Sequence, residues 1–228
     1  MNVKGRLSTE VLNSLFDSGH GGIYFSQACE DVLLWKLFDR KQNGFYVDVG
    51  AHHPQRFSNT YLLHRFAGWS GINIDADPDA IARFETERPN DRNVLAAISD
   101  IPNQELNITI YTDGAVNTLD SSMRARRTRR KSVIKREEIV HTRTLASILD
   151  EHLPPGQDID FFDIDIEGFD YKALVSNDWI KYRPRYVFVE MHNFTLSQID
   201  KSETVKFMRG VGYEMSSFMF VTGVFKRL

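Results

Sequence analysis

Asp48, Asp75, the run Asp163-Ile164-Asp165-Ile166-Glu167, and Glu190 each close an apolar, strand-like segment. If those strands run parallel, all four places share the rim beyond the strand C-termini, where open α/β sheets bind ligands. Helix capping would account for Asp77 and Asp170, but not for acids gathering after apolar strands, where unpaired charge is costly. Asp163 and Asp165 point the same way on a strand, and Glu167 joins them if the extended geometry persists. Like charges so placed share a proton or bind a cation. Asp163, Asp165, Glu190 and His192 therefore form a candidate ligand set for Mg²⁺, Mn²⁺ or Fe²⁺. Such an ion would orient a vicinal diol and lower the pKa of one hydroxyl. An acid or one of the rim histidines, His52, His53 and His192, could equally act as general base. Metal-assisted and metal-free activation both stay open here.

The first strand, Gly44 to Ala51, and the second, Gly71 to Asp75, stand one βαβ unit apart. Asp75 at the second strand's end is the usual acceptor for a ribose hydroxyl pair. The first turn reads Gly50-Ala51-His52-His53-Pro54, so the Gly-x-Gly-x-x-Gly fingerprint of a dinucleotide site is missing. Without those glycines, close approach of a pyrophosphate is not specified. S-adenosylmethionine (SAM), which has adenosine but no pyrophosphate, fits better.

The elements that must carry these residues follow from periodicity and caps. Ser26 caps a helix through Trp35 and Phe38 that Asn43-Gly44 stops, and Ser58 caps one through Phe66 that Gly68 closes. Asp77-Pro78 opens a third, broken at Arg88-Pro89-Asn90. Strands are expected at 94–98, 159–165 and 186–190, an edge or accessory strand at 107–111, and a further helix on the segment from Thr142 to Leu149. The tail from Tyr213 to Phe225 has no room for another crossover helix and reads as an antiparallel hairpin. The fold class is α/β: a mostly parallel, doubly wound sheet.

Two segments are predicted, an N-terminal arm over 1–25 and a single domain over 26–228. With 42% hydrophobic and 26% charged residues, the chain composes like a globular protein, and a net charge of -3 gives no pull toward nucleic acid or membrane. No apolar run reaches membrane-spanning length and no secretory h-region is seen, so a cytoplasmic location is expected. The single cysteine, Cys29, rules out an intrachain disulfide and a thiolate zinc cluster. A homo-oligomer stays open. A basic loop at about 120–137 carries Arg124, Arg126, Arg127, Arg129, Arg130, Lys131, Lys135 and Arg136. It reads as a solvated, mobile loop or as a docking loop for an anionic acceptor such as a phosphate-bearing sugar. The absence of interleaved aromatics argues against a nucleic-acid arm.

Taken together these segments resemble the FkbM-type family of SAM-dependent methyltransferases, over roughly 26 to 225. The likeness rests on Ser26-Gln27 with Glu30-Asp31, Gly44 to Ala51, Phe57-Ser58-Asn59-Thr60, Gly71 to Asp75, and Ala97-Ile98-Ser99. It continues in Thr144-Leu145, Ile164-Asp165-Ile166-Glu167-Gly168, and Val189-Glu190 before His192. The resemblance implies a class I methyltransferase (Rossmann-like) fold with seven strands, the last antiparallel. It implies that Asp48 and Gly50 face the methionine part of SAM, and Ala51, Asn59 and Asp163 are further candidate cofactor-binding residues. Asp75 would bind the ribose, and Ala97, Ile98 and Ser99 would flank the adenine. Asp165 and Glu167 would sit at the methyl-transfer face, while His192 and His53 are candidate catalytic residues from their place on the rim. It also implies O-methylation of sugars in glycans, surface polysaccharides or secondary metabolites.

Because SAM carries its methyl on a sulfonium, displacement needs chiefly alignment and a deprotonated oxygen. Rival readings are an NAD-linked oxidoreductase using the same two acids, or a non-catalytic module docking through the basic loop. A base-directed methyltransferase is disfavoured, because Asp165-Ile166-Glu167-Gly168 stands where an Asn/Asp-Pro-Pro-aromatic stretch would be, and Cys29 sits upstream in a predicted helix rather than near a proline as cytosine C5 chemistry wants.

Overall fold

The computed structural model describes Ser14, residues 23–112, Gly114, 117–120, Arg124, Ala125 and 133–228. Most of the expected N-terminal arm lies outside the described residues, as do Arg126, Arg127, Arg129, Arg130 and Lys131 of the basic stretch. The described chain begins with α1 (Glu30–Leu37), β1 (Phe45–Val49), α2 (Tyr61–Ala67), β2 (Ser70–Asp75), α3 (Pro78–Glu87) and β3 (Arg92–Leu95). Next come β4 (Ala97–Ile98), β5 (Glu105–Tyr111), β6 (Ile134–Arg143), α4 (Leu145–His152), β7 (Phe161–Ile164), α5 (Asp170–Val175) and β8 (Tyr186–Glu190). A 3₁₀ segment (Leu196–Lys201), α6 (Glu203–Gly210), β9 (Tyr213–Met219) and β10 (Thr222–Arg227) complete it.

Seven strands form the main sheet in the order β3-β2-β1-β7-β8-β10-β9, and only β10 runs against its neighbours. The expected doubly wound, Rossmann-like sheet with its C-terminal hairpin is therefore present. The chain builds outward from β1 to β3, then returns to β7 on the other flank of β1. The switch point, and so the crevice, lies between β1 and β7. Alternation along β1 sends Val47 and Val49 to one face, with Leu145, Ile148 and Leu149 of α4, and Tyr46 to the other, with Leu34 of α1 and Leu62 of α2. Each fully buried aliphatic or aromatic side chain contributes about 1.5–3 kcal/mol. Burial on both faces is why these strands read as continuous apolar runs.

The expected strand over 94–98 divides at Ala96. Its N–H still bonds the carbonyl of Asp75, but Ala97 and Ile98 then leave to pair with Thr142 and Arg143 of β6. Strands β4, β6 and β5 make a separate three-stranded sheet. Strand β6 starts at Ile134, inside the stretch expected to be a basic loop. Lys135 pairs with Asp79 at 2.6 Å, and Arg136 spans Asp77, Asp79 and Glu138 at 2.8, 2.7 and 2.5 Å. Arg124 pairs with Glu137 at 2.6 Å. These three cations clamp the small sheet to itself and to the start of α3. Asp77 caps α3 by accepting from Asp79 N at 3.0 Å, with Pro78 in the first turn. Among the described residues no helix is long and apolar enough to cross a membrane.

Candidate active site

Asp48 and Asp163 occupy matching register positions on β1 and β7, so both carboxylates lie on one face of the sheet at the switch point. The loop entering α2 holds each of them. Thr60 Oγ1 donates to Asp48 Oδ2 at 2.9 Å, and Asn59 Nδ2 donates to Asp163 Oδ2 at 2.8 Å. Burial pushes the Asp48 carboxyl up to about 6, against the pull of the nearby Arg88 guanidinium. Burial and the charge of Asp48 push Asp163 well above the usual carboxylate range.

Asp75 leaves β2 at the same rim. Its carboxylate accepts from His52 N at 2.9 Å and from Asp77 N at 2.7 Å, which aims it while leaving further lone pairs on both oxygens. Burial outweighs these bonds and raises it to about 6. At Gly50 the backbone is left-handed, with φ +89°, and a Cβ there would stand 1.8 Å from the carbonyl oxygen of Asp165. Only glycine allows the two loops to close on each other at that point.

A cleft of about 850 Å³, counting the part open to solvent, lies above these residues. Asp48, Gly50, Ala51, Asn59, Asp75 and Asp163 line it, with Ala97 and Ile98 on an apolar wall. Ser99, expected beside the adenine, does not line it; the residue is fully buried and its hydroxyl donates to Asp100. Sequence reasoning missed Gln27, Asn117 and Thr118, which also line the cleft. Gln27 sits in the turn that Ser26 and Asp31 close through a 2.8 Å side-chain bond, so the quoted Ser-Gln and Glu-Asp pairs carried a signal for it. Thr118 bridges to Thr109 of the small sheet, and nothing local foretold that.

A second cavity, about 1080 Å³ on the same measure, opens beside the first and is lined by Asp170, Tyr171, Glu190, His192, Phe194 and Gln198, among others. Asp165 and Glu167 line the first cavity, and Glu190 and His192 the second. Ligand atoms of Asp165, Asp170 and Glu190 come within 4.8 Å of one another, as do those of Glu167, Glu190 and His192. The first set offers the hard oxygens a divalent cation prefers. Asp163, expected among the metal ligands, lies in neither group, because its carboxylate is turned to Asn59 near Asp48. The sets instead include Asp170, which the sequence presented as a helix cap. Asp170 does brace the loop, accepting from Ile166 N at 2.8 Å and Gly168 N at 3.0 Å, and burial raises it to about 7.

No protein donor among the described residues bonds the Asp165 carboxylate, which burial and then Glu190 and Glu167 push well above the usual range. His192 Nε2 stands 3.4 Å from Glu167 and 3.1 Å from Glu190, and those partners raise it to about 10. The two carboxylates favour its imidazolium form, which has no free lone pair to take a proton. His53, also expected at the chemistry, lines neither cavity. Its Nδ1 accepts from the N–H groups of Gln55 and Arg56 at 3.0 and 3.1 Å, because left-handed backbone at His52 turns the next side chain into the loop.

Residues 48–215 match the Methyltransferase FkbM domain. The chain belongs to the FkbM methyltransferase family. The FkbM match opens at Asp48 and ends within β9, so it takes in every rim acid and the wall between the cavities. Searches of curated proteins and of solved structures each returned no match. For this FkbM chain, roles of individual residues therefore rest on the geometry above.

Proposed function

We propose that this chain is a SAM-dependent O-methyltransferase acting on a hydroxyl of a sugar or glycan. One observation carries the reading. Two cavities adjoin across a thin wall that holds Asp165, Glu167, Glu190 and His192, as a two-substrate transfer requires. The first cavity fits SAM. Asp75 presents backbone-aimed acceptors to the ribose, Ala97 and Ile98 give adenine an apolar wall, and Asp48 with Asp163 offers negative charge to the methionine ammonium. SAM would supply a methyl group already activated on its sulfonium.

The chain's own contribution is alignment and proton removal. Asp165, which no donor among the described residues bonds, would accept the proton of an acceptor hydroxyl entering from the second cavity. The pair of Glu190 with the His192 imidazolium fixes the far side of that opening. Tyr171 offers a part-exposed aromatic face, and Asn193, Thr195 and Gln198 offer hydrogen-bonding groups suited to a polyol. Carboxylates predominate around the reacting end, which favours an uncharged acceptor over one bearing phosphate near the methylated hydroxyl.

The 4.8 Å grouping favours a second reading of the activation step. Asp165, Asp170 and Glu190 would hold a divalent cation, which would lower the pKa of the acceptor hydroxyl. Calorimetry with SAM and with NAD tests the cofactor; binding of NAD and not SAM overturns the proposal. Labelled SAM screened against nucleotide-sugars and glycans then tests the acceptor.

A further inference from the structure

Arg88 follows the last residue of α3 and lines neither cavity, yet it is one of the most deeply buried side chains in the protein, at 1% exposure. From sequence it is only part of a helix-breaking Arg-Pro-Asn. In the fold, its guanidinium lies under the loop that forms one wall of the first cavity. Nη1 donates to Tyr46 Oη at 3.0 Å and to Thr60 Oγ1 at 2.9 Å. Nη2 donates to Ser58 Oγ at 3.0 Å and to the carbonyl of Pro54. Thr60 in turn donates its hydroxyl proton to Asp48 Oδ2. Ser58 Oγ accepts from Tyr61 N at 3.1 Å, which fixes the start of α2.

A buried guanidinium is costly unless its donors and its charge are both met. Here Nη1 and Nη2 make four donor contacts to three separate places around the cleft: the turn at Pro54, the Ser58–Thr60 corner, and β1 at Tyr46, while Nε meets no acceptor among the described residues. Counter-charge comes from Asp91, which accepts from Tyr46 Oη at 2.6 Å, and from Asp48 across Thr60. The branch through Thr60 ends on an acid that lines the first cavity.

We infer that Arg88 is a positioning residue for the cofactor, acting through Thr60 to orient Asp48 and through Pro54 and Ser58 to set the loop that carries Phe57 and Asn59. The inference rests on the reading that the first cavity holds SAM. Arginine is needed rather than lysine, because a planar fork reaches several acceptors at once and a single ammonium does not.

The relay makes opposite demands on Thr60 from those of simple packing. Threonine to valine keeps the shape and deletes the hydroxyl; threonine to serine keeps the hydroxyl and deletes a methyl group. SAM binding is measured by calorimetry on the full chain for wild type, Thr60→Val, Thr60→Ser and Arg88→Lys, with thermal melting as the fold control. The expected result is a loss of about tenfold or more in SAM affinity for Thr60→Val and Arg88→Lys, the worth of one charge-assisted hydrogen bond, with Thr60→Ser near wild type. Thr60→Val that binds like wild type, or Thr60→Ser that loses more than Thr60→Val, overturns the inference while leaving the cofactor assignment in place. Wild-type protein that does not bind SAM removes the cofactor reading and the inference with it. If Arg88→Lys does not fold, the two Thr60 variants decide alone.

Discussion

The α-carbon of Gly50 rests against the carbonyl oxygen of Asp165, joining the turn after the first strand to the loop after the seventh. A side chain at Gly50 would meet that oxygen at 1.8 Å and would also sit at a φ of +89°. Gly50→Ala therefore meets steric overlap and backbone strain together, costing about 2–4 kcal/mol. A marked drop in melting temperature is expected, with SAM binding lost even where the variant still folds. Gly50→Ala that binds SAM normally would mean the two loops need not close.

Asp165→Asn keeps the shape of the side chain and removes its basicity. If its carboxylate works on the acceptor hydroxyl as proposed, transfer is expected to fall about 100-fold or more, with SAM affinity nearly unchanged. Single-turnover rates and calorimetry read the two separately. Equal loss of both would move Asp165 from the chemistry to the cofactor pocket.

Acidity bears on cofactor binding through Asp48 and Asp75. Both are raised to about 6, chiefly by burial, from an unfolded value of about 4. The native state thus binds their protons more tightly than the unfolded state does. That contribution to stability is complete below about pH 4 and disappears as pH rises through 6. Cofactor binding runs the other way, because the protonated acids no longer offer charge to an ammonium or full acceptor capacity to a ribose. SAM affinity should be level above pH 7 and decline on acidification through 6. A flat affinity from pH 5 to 8 would show that neither acid touches the cofactor.

Chelation separates the two readings of activation. If a cation sits among Asp165, Asp170 and Glu190, a chelator should abolish turnover, Mg²⁺ or Mn²⁺ should restore it, and SAM affinity should stay constant. Turnover indifferent to chelator assigns deprotonation to Asp165 acting directly.

What the amino-acid order determined alone was everything that repeats over a few residues. The apolar runs around Val47, Ile74, Phe162 and Val187 announced buried strands, Asp77-Pro78 and Gly68 marked helix ends, and the acids after those strands pointed to one rim. Such signals are local, since period and capping are properties of neighbours in the chain. Tertiary structure decided the rest. Strand β6 was hidden because Lys135, Arg136, Glu137 and Glu138 dilute its alternation, and its partners at Ala97 and Glu105 are distant in sequence. His53 and Ser99 bond near neighbours in the chain and line neither cavity, whereas Arg88 bonds Tyr46, Pro54, Ser58 and Thr60, which only folding brings near. Long-range pairing depends on which surfaces meet, and no short stretch of residues encodes that.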